Sequence, residues 1–309
     1  MRRPTFKAAL LLCALALPLA SAARPAGTVQ EELTTLLAGA SAESPYSEPG
    51  LRARIDTLSA ALLGRRYRRD PLGEGAGATV DPDPLLSFAA FDCVTYVETV
   101  LALARARDPQ QAEANLLALR YAGGVPSFDG RTHLPSVDWL PNALGKHVLA
   151  ESTPRLFPEL RMATLTVSLD RAAALRRLAR RPPGALGAQA HAAGTLEQAS
   201  LRYLTPAELL GRASARGETE RRERLQRIPS GTVVLMVGRG ARSLRRAGVA
   251  EAIYHFGLAI RRPDGTLVLR SATPGGHGSV RDVPFERYLE RGARTRRLEG
   301  VVLLQPLPA

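Results

Sequence analysis

The hydrophobic period of this chain changes near residue 230, and that change narrows the folds open to it. Upstream, apolar residues mostly recur at helical spacing. Candidate helices run from Val29 to Leu37 and from Leu51 to Leu63, the second with Ile55, Leu58, Leu62 and Leu63 on one face. Another carries Val94, Val97, Val100, Leu101 and Ala104. Downstream, short apolar runs read as strands: Gly231 to Val237, Ile253 to Ile260, Thr266 to Ser271 and Val301 to Leu304. Pro263-Asp264-Gly265 supplies the turn between the second and third. Helices followed by an antiparallel meander predict an α+β fold rather than alternating βαβ units.

Between these blocks, Asp70 to Pro84 reads as a loop. Glu113 to Tyr121 reads as a helix stopped by Gly123-Gly124. Residues 125–146 are irregular and carry the single tryptophan, Trp139. Met162 to Leu169 alternates like a strand. Thr205-Pro206 opens a short helix, with a cap followed by proline in the first turn. The first 22 residues predict a secretory signal: Arg2, Arg3 and Lys7, an apolar run from Ala8 to Leu19, then Ala20-Ser21-Ala22. That run is too short for a membrane span. Residues 23–309 then form one domain, with a helical extension over 24–80 and a low-complexity insertion near 182–200.

The chain is basic, with a formal charge of +13 over 309 residues. The arginines are spread over several segments, and no zinc-finger, helix-turn-helix or aromatic RNA-binding pattern accompanies them. Nucleic acid is therefore not an expected partner. Such a charge favours polyanions such as a bacterial envelope.

Cys13 lies in the expected signal, which leaves Cys93 as the only cysteine of the mature chain. A lone thiol in an oxidising compartment has no internal disulfide partner, and nucleophilic catalysis is the leading explanation. Asp92 is positioned to cap a helix that starts at Cys93, where backbone N–H groups favour a thiolate. A cysteine nucleophile needs a base. His255 opens a core strand, with Gly257 two residues on to permit close approach of substrate or of the cysteine helix. Cysteine on a helix and histidine on a distant strand is a papain-like order. The histidines lack the close pairing of a zinc motif, so neither a metal nor another cofactor is expected.

Four blocks resemble a known family. Phe91-Asp92-Cys93-Val94-Thr95-Tyr96-Val97-Glu98 is similar to the cysteine signature of the N-acetylmuramoyl-L-alanine amidase-like family, formerly domain of unknown function 1460, a branch of the NlpC/P60 papain-like hydrolases. Arg131-Thr132-His133-Leu134 with Asp138-Trp139 resembles its second block, Ile228 to Val234 its third, and His255 to Ile260 its fourth. The resemblance implies a papain-like fold in which helices, including the cysteine helix, pack on an antiparallel sheet. It implies Cys93 as nucleophile and His255 as general base. It also implies a periplasmic or secreted enzyme that cuts peptidoglycan fragments at the bond joining N-acetylmuramic acid to L-alanine. Two alternatives remain open: cleavage between D-glutamate and diaminopimelate, and an impaired envelope-binding protein.

The second alternative arises from a departure. The family usually carries His-Ala-Ser on the strand after the base, its histidine orienting the base. Here Leu269-Arg270-Ser271-Ala272 stands there, with Arg270 in the histidine's place. Arginine accepts no hydrogen bond and would repel an imidazolium. Ser271, Thr273, His277 or a backbone carbonyl are other candidates for that third position, and a Cys-His dyad without one is a further alternative. His133, Asp138, Trp139, Asn142 and Tyr254 form a candidate substrate-binding set, in which Trp139 either stacks on sugar or peptide, or packs the loop.

Overall fold

The structure, a computed structural model, describes residues 28–179, 196–211, 215–238 and 251–309. The expected signal and residues 182–195 of the expected insertion lie outside them. Helix α1 (Val29–Gly39) starts with a reciprocal capping box between Thr28 and Glu31. Helix α2 (Glu48–Ala61) is capped by Ser47. Strands β1 (Arg66–Tyr67) and β2 (Ala90–Phe91) bracket the expected loop. Helix α3 (Cys93–Ala104) then begins at the predicted cap, Asp92, which accepts from the Val94 and Thr95 amides. Asp108-Pro109, just past the end of that helix, begins α4 (Pro109–Arg120). The Asp108 carboxylate accepts from the Gln111 amide, and proline suits a first turn.

The irregular stretch contains a π-helical turn (Pro135–Trp139) running into α5 (Leu140–Gly145). Then come β3 (Leu149–Glu151), α6 (Thr153–Leu156), β4 (Met162–Asp170) and α7 (Arg171–Leu178). β5 (Leu196–Leu204) pairs with β4 along its whole length, so the expected insertion does not extend through residue 200. The remaining elements are α8 (Pro206–Leu210), α9 (Ala215–Arg227), β6 (Thr232–Gly238), β7 (Ile253–Arg261), β8 (Leu267–Thr273), β9 (Ser279–Pro284), α10 (Phe285–Arg294) and β10 (Leu298–Pro306).

The strands form one sheet in the order β2-β1-β9-β8-β7-β6-β10-β5-β4, with β3 also paired to β10. Every pairing is antiparallel except β1 with β2. Central β6 is buried at every residue, because helices cover both its faces, and it therefore reads as a continuous apolar run. Outer β4 alternates, because one of its faces meets solvent. On one face Phe256, Leu258, Val268 and Ala272 pack with α1 to α4. On the other, Met236, Ala259 and Leu269 pack with Phe285 and Leu289 of α10. Thus α1 and α2 share a core with α3. The result is a mixed α/β fold around a large, mostly antiparallel sheet. Among the described residues no helix is long and apolar enough to cross a membrane.

Candidate active site

Helix α3 meets the sheet at β7 and β8. Cys93 occupies its first position and is half-buried. The backbone N–H of Phe256, the residue after His255, lies close enough to the Cys93 sulfur to favour its thiolate. Strand β7 thus brings the sulfur and the histidine's backbone together. The Cys93 and Val94 amides also favour the thiolate, as a helix start should. They do not prevail. Burial, then the Asp92 charge, push the thiol up to about 12.

His255 is half-buried on β7, and its Nε2 shares a 3.1 Å hydrogen bond with Ser271 Oγ. Tyr288 stacks on the imidazole with centroids 6.3 Å apart. Burial, then the Arg297 charge, lower the His255 pKa to about 4. Both shifts favour a neutral thiol and a neutral imidazole at neutral pH. Tyr67 and Tyr288 both lie near enough for a Cys93 thiolate to oppose their ionisation. The Tyr254 and Tyr288 hydroxyls lie near one another, and each affects the other's ionisation.

Arg270, expected in the third position, does not reach this ring. Strand alternation sends it to the opposite face of β8, where it is 5% exposed. There Asp282 takes two of its N–H groups, at 2.7 and 3.0 Å, and Ser59 Oγ a third, at 2.9 Å. Its charge is therefore neutralised away from the imidazole. Ser271, one residue on, shares the face of His255. His277 lies exposed on the turn before β9.

Of the expected groove set Trp139 is fully buried, and the other four are half-buried. Trp139 is 0% exposed, donates from Nε1 to Glu98 at 3.0 Å, and packs edge-on against Phe256 at 4.8 Å. A buried indole has no free face for sugar or peptide, so Trp139 is a packing residue. Its partner Glu98 also receives Arg120 at 3.0 Å. Asp138 pairs with Arg171 and accepts from the Leu134 amide. Asn142 donates to the Ala118 and Leu119 carbonyls at the end of α4. His133 bonds the Phe128 carbonyl at 2.7 Å, and its pKa is lowered to about 3, chiefly by burial. Of the set, Tyr254 alone neighbours His255. Gly257 also has another use than expected. A Cβ there would stand 2.6 Å from Leu269 Cδ1, so the bare backbone makes room for β8.

Tyr67, Tyr288 and Arg297 escaped the sequence pattern. Phe285, Tyr288 and Leu289 do follow helical i, i+3, i+4 spacing, a signal that could have revealed α10. Among the described residues, no three His, Cys, Asp or Glu side chains gather as a metal site.

Solved structures share this architecture. A Legionella pneumophila protein, classed with domain of unknown function 1460, aligns at 22% identity and TM-score 0.74, covering 90% of this chain and 94% of its own. An N-acetylmuramoyl-L-alanine amidase from Bacteroides uniformis aligns at 17% identity and TM-score 0.58, covering 83% and 99%. A protein described as a putative xylanase from Bacteroides fragilis aligns at 19% identity and TM-score 0.56, covering 80% and 98%. No curated protein matches by sequence. The family model described as N-acetylmuramoyl-L-alanine amidase-like matches residues 57–295, which takes in Cys93, His255 and Ser271. The chain therefore belongs to the N-acetylmuramoyl-L-alanine amidase-like family.

Proposed function

We propose that this protein is a cysteine amidase that releases the peptide stem of peptidoglycan fragments from N-acetylmuramic acid. The observation that carries the proposal is the meeting of a helix-start thiol with the backbone beside a serine-anchored histidine, within the matched region. The same arrangement, cysteine on a helix and histidine on an antiparallel strand, supports kinship with the NlpC/P60 papain-like hydrolases. The signal-like N-terminus supports a periplasmic or secreted location.

The neutral resting pair sets the order of events. The mechanism uses the tautomer in which Nε2–H donates to Ser271 Oγ, which leaves Nδ1 as the basic nitrogen. As substrate enters, Nδ1 takes the thiol proton and sulfur attacks the scissile carbonyl. The Cys93 amide at the open helix end holds the developing oxyanion, with the Tyr67 hydroxyl as a second donor. His255 then returns the proton to the leaving amine. Water, deprotonated by the same imidazole, releases the sugar acid from the thioester.

The test is product analysis by mass spectrometry on purified muropeptides. The wild-type chain should yield free muramic-type sugar and an intact peptide. Cys93→Ala should lower the rate by at least about a thousandfold while keeping the circular dichroism spectrum. A sugar still carrying a dipeptide would move the cut to the D-glutamyl bond. Undiminished turnover by Cys93→Ala would end the cysteine mechanism, and absence of turnover by wild type with retained binding would favour a binding protein.

A further inference from the structure

In the mechanism above, His255 hands its proton to the leaving amine. The departing peptide must therefore lie on the imidazole side of the crevice. Tyr254, Tyr288 and Arg297 stand on that side. Arg297 directly precedes β10, where Leu298 pairs with Gly238. A Cβ on Gly238 would fall 2.2 Å from the Arg297 carbonyl oxygen and 2.9 Å from Tyr254 Cε1. The bare glycine thus seats the Arg297 backbone beside the Tyr254 ring, and the Arg297 charge reaches Tyr254, His255 and Tyr288.

Arg297 differs from the arginines that the fold pairs with acids. Arg270 is held by Asp282, Arg131 by Glu74, and Arg171 by Asp138 and Glu197. Arg297 is exposed, and among the described residues no acid pairs with it. A free cation beside a general base weakens that base, which makes Arg297 costly unless it contacts something else. In muramyl peptides the residue after L-alanine is D-glutamate linked through its γ-carboxyl. Its α-carboxyl is either a free carboxylate or a carboxamide.

We propose that Arg297 binds the α-carboxylate of this D-glutamate, so that the enzyme selects acidic stems over amidated ones. The proposal rests on the amidase reading, because that reading sets which side the peptide occupies. Guanidinium and carboxylate match in charge and in planar geometry, whereas a carboxamide offers one neutral acceptor. The site is exposed, so the selectivity should be modest and should shrink with added salt.

Two substrates test this: N-acetylmuramoyl-L-alanyl-D-isoglutamate and its isoglutamine counterpart. Wild type should favour the acid by about tenfold in kcat/KM at low salt. Arg297→Gln should remove that preference by slowing the acid alone. Any change in His255 basicity acts on both substrates and cancels in the ratio. Arg294→Gln, an exposed arginine on α10, should keep the preference. Binding of both compounds to Cys93→Ala, followed by calorimetry, reads the same ratio without turnover, and Cys93→Ala/Arg297→Gln should lose it. Equal rates for both substrates, or a preference that survives Arg297→Gln, overturns the proposal and leaves the amidase reading standing. A binding preference that depends on Arg297 in a chain that cleaves neither compound upholds the carboxylate site and defeats the amidase reading.

Discussion

At its C-terminal end α3 is sealed by Arg54, whereas at its N-terminal end it keeps a half-open thiol. Arg54, 2% exposed, reaches from α2 to the carbonyls of Leu103, Ala104 and Ala106 at that end, and to those of Ala40 and Glu43. One guanidinium thus closes carbonyls that a helix end leaves without partners. At the other end Asp92 caps the Val94 and Thr95 amides, yet Cys93 keeps only backbone donors and a face toward solvent. A group whose partners are complete holds the frame. A group whose partners are incomplete has capacity left for a substrate.

The largest expected effect falls at the sealed end. Arg54→Met keeps apolar bulk but leaves buried carbonyls without donors. Urea denaturation should show a loss of about 3 to 5 kcal/mol. A loss under about 1 kcal/mol would break the comparison, because water would then serve that end as well as arginine does.

The N-terminal end was legible in the sequence and the C-terminal end was not. Asp92 followed by valines at helical spacing announced the start of α3. Nothing local to Leu103–Ala106 announces Arg54, which lies about 50 residues upstream and meets them only through packing. The central strands were legible because burial on both faces makes them apolar throughout. Strand β9 hid behind a glycine-rich turn and a polar stretch, Ser279-Val280-Arg281-Asp282. Without β9 the partner of Arg270, Asp282, was invisible, and the arginine looked like a defect in the site. Alternation along β8 nevertheless contained the correction, since Leu269 and Ser271 share one face. The burial of Trp139 depends on the distant acid Glu98, which no loop pattern reveals.

A second, smaller effect concerns His255, the residue before Phe256. His255 has a folded pKa of about 4 against an ordinary 6.5. A depressed pKa means the fold prefers the neutral ring. The stability this contributes is present above pH 6.5 and is lost as pH falls toward 4. This share should pull thermal midpoints down across that window, against the opposite pull of the carboxylates whose pKa burial raises, Asp56, Glu74, Glu98, Asp138 and Glu251. His255→Asn should flatten the drop in part, leaving the share of His133, whose pKa is lowered to about 3. An unchanged acid limb in His255→Asn would mean that the ring is open to water and titrates as it does when unfolded.

The smallest effect tests the cap itself. Asp92 does two opposed things: it organises the helix start and its charge opposes thiolate formation. Asp92→Asn separates them. The amide oxygen still accepts from Val94 and Thr95, but its NH₂ now faces the Asp70 amide that Oδ2 accepted at 3.1 Å. Stability should fall by about 1 kcal/mol. Removal of a negative charge beside sulfur lowers the thiol pKa, by about one unit at this range. Alkylation by iodoacetamide at pH 8, in a chain carrying Cys13→Ser, should then quicken by about three- to tenfold. A slower or unchanged rate would show that burial alone holds the proton on Cys93. The open end of α3 would then be guarded by packing rather than by its capping charge, and substrate entry would have to expose the sulfur before His255 could draw the proton away.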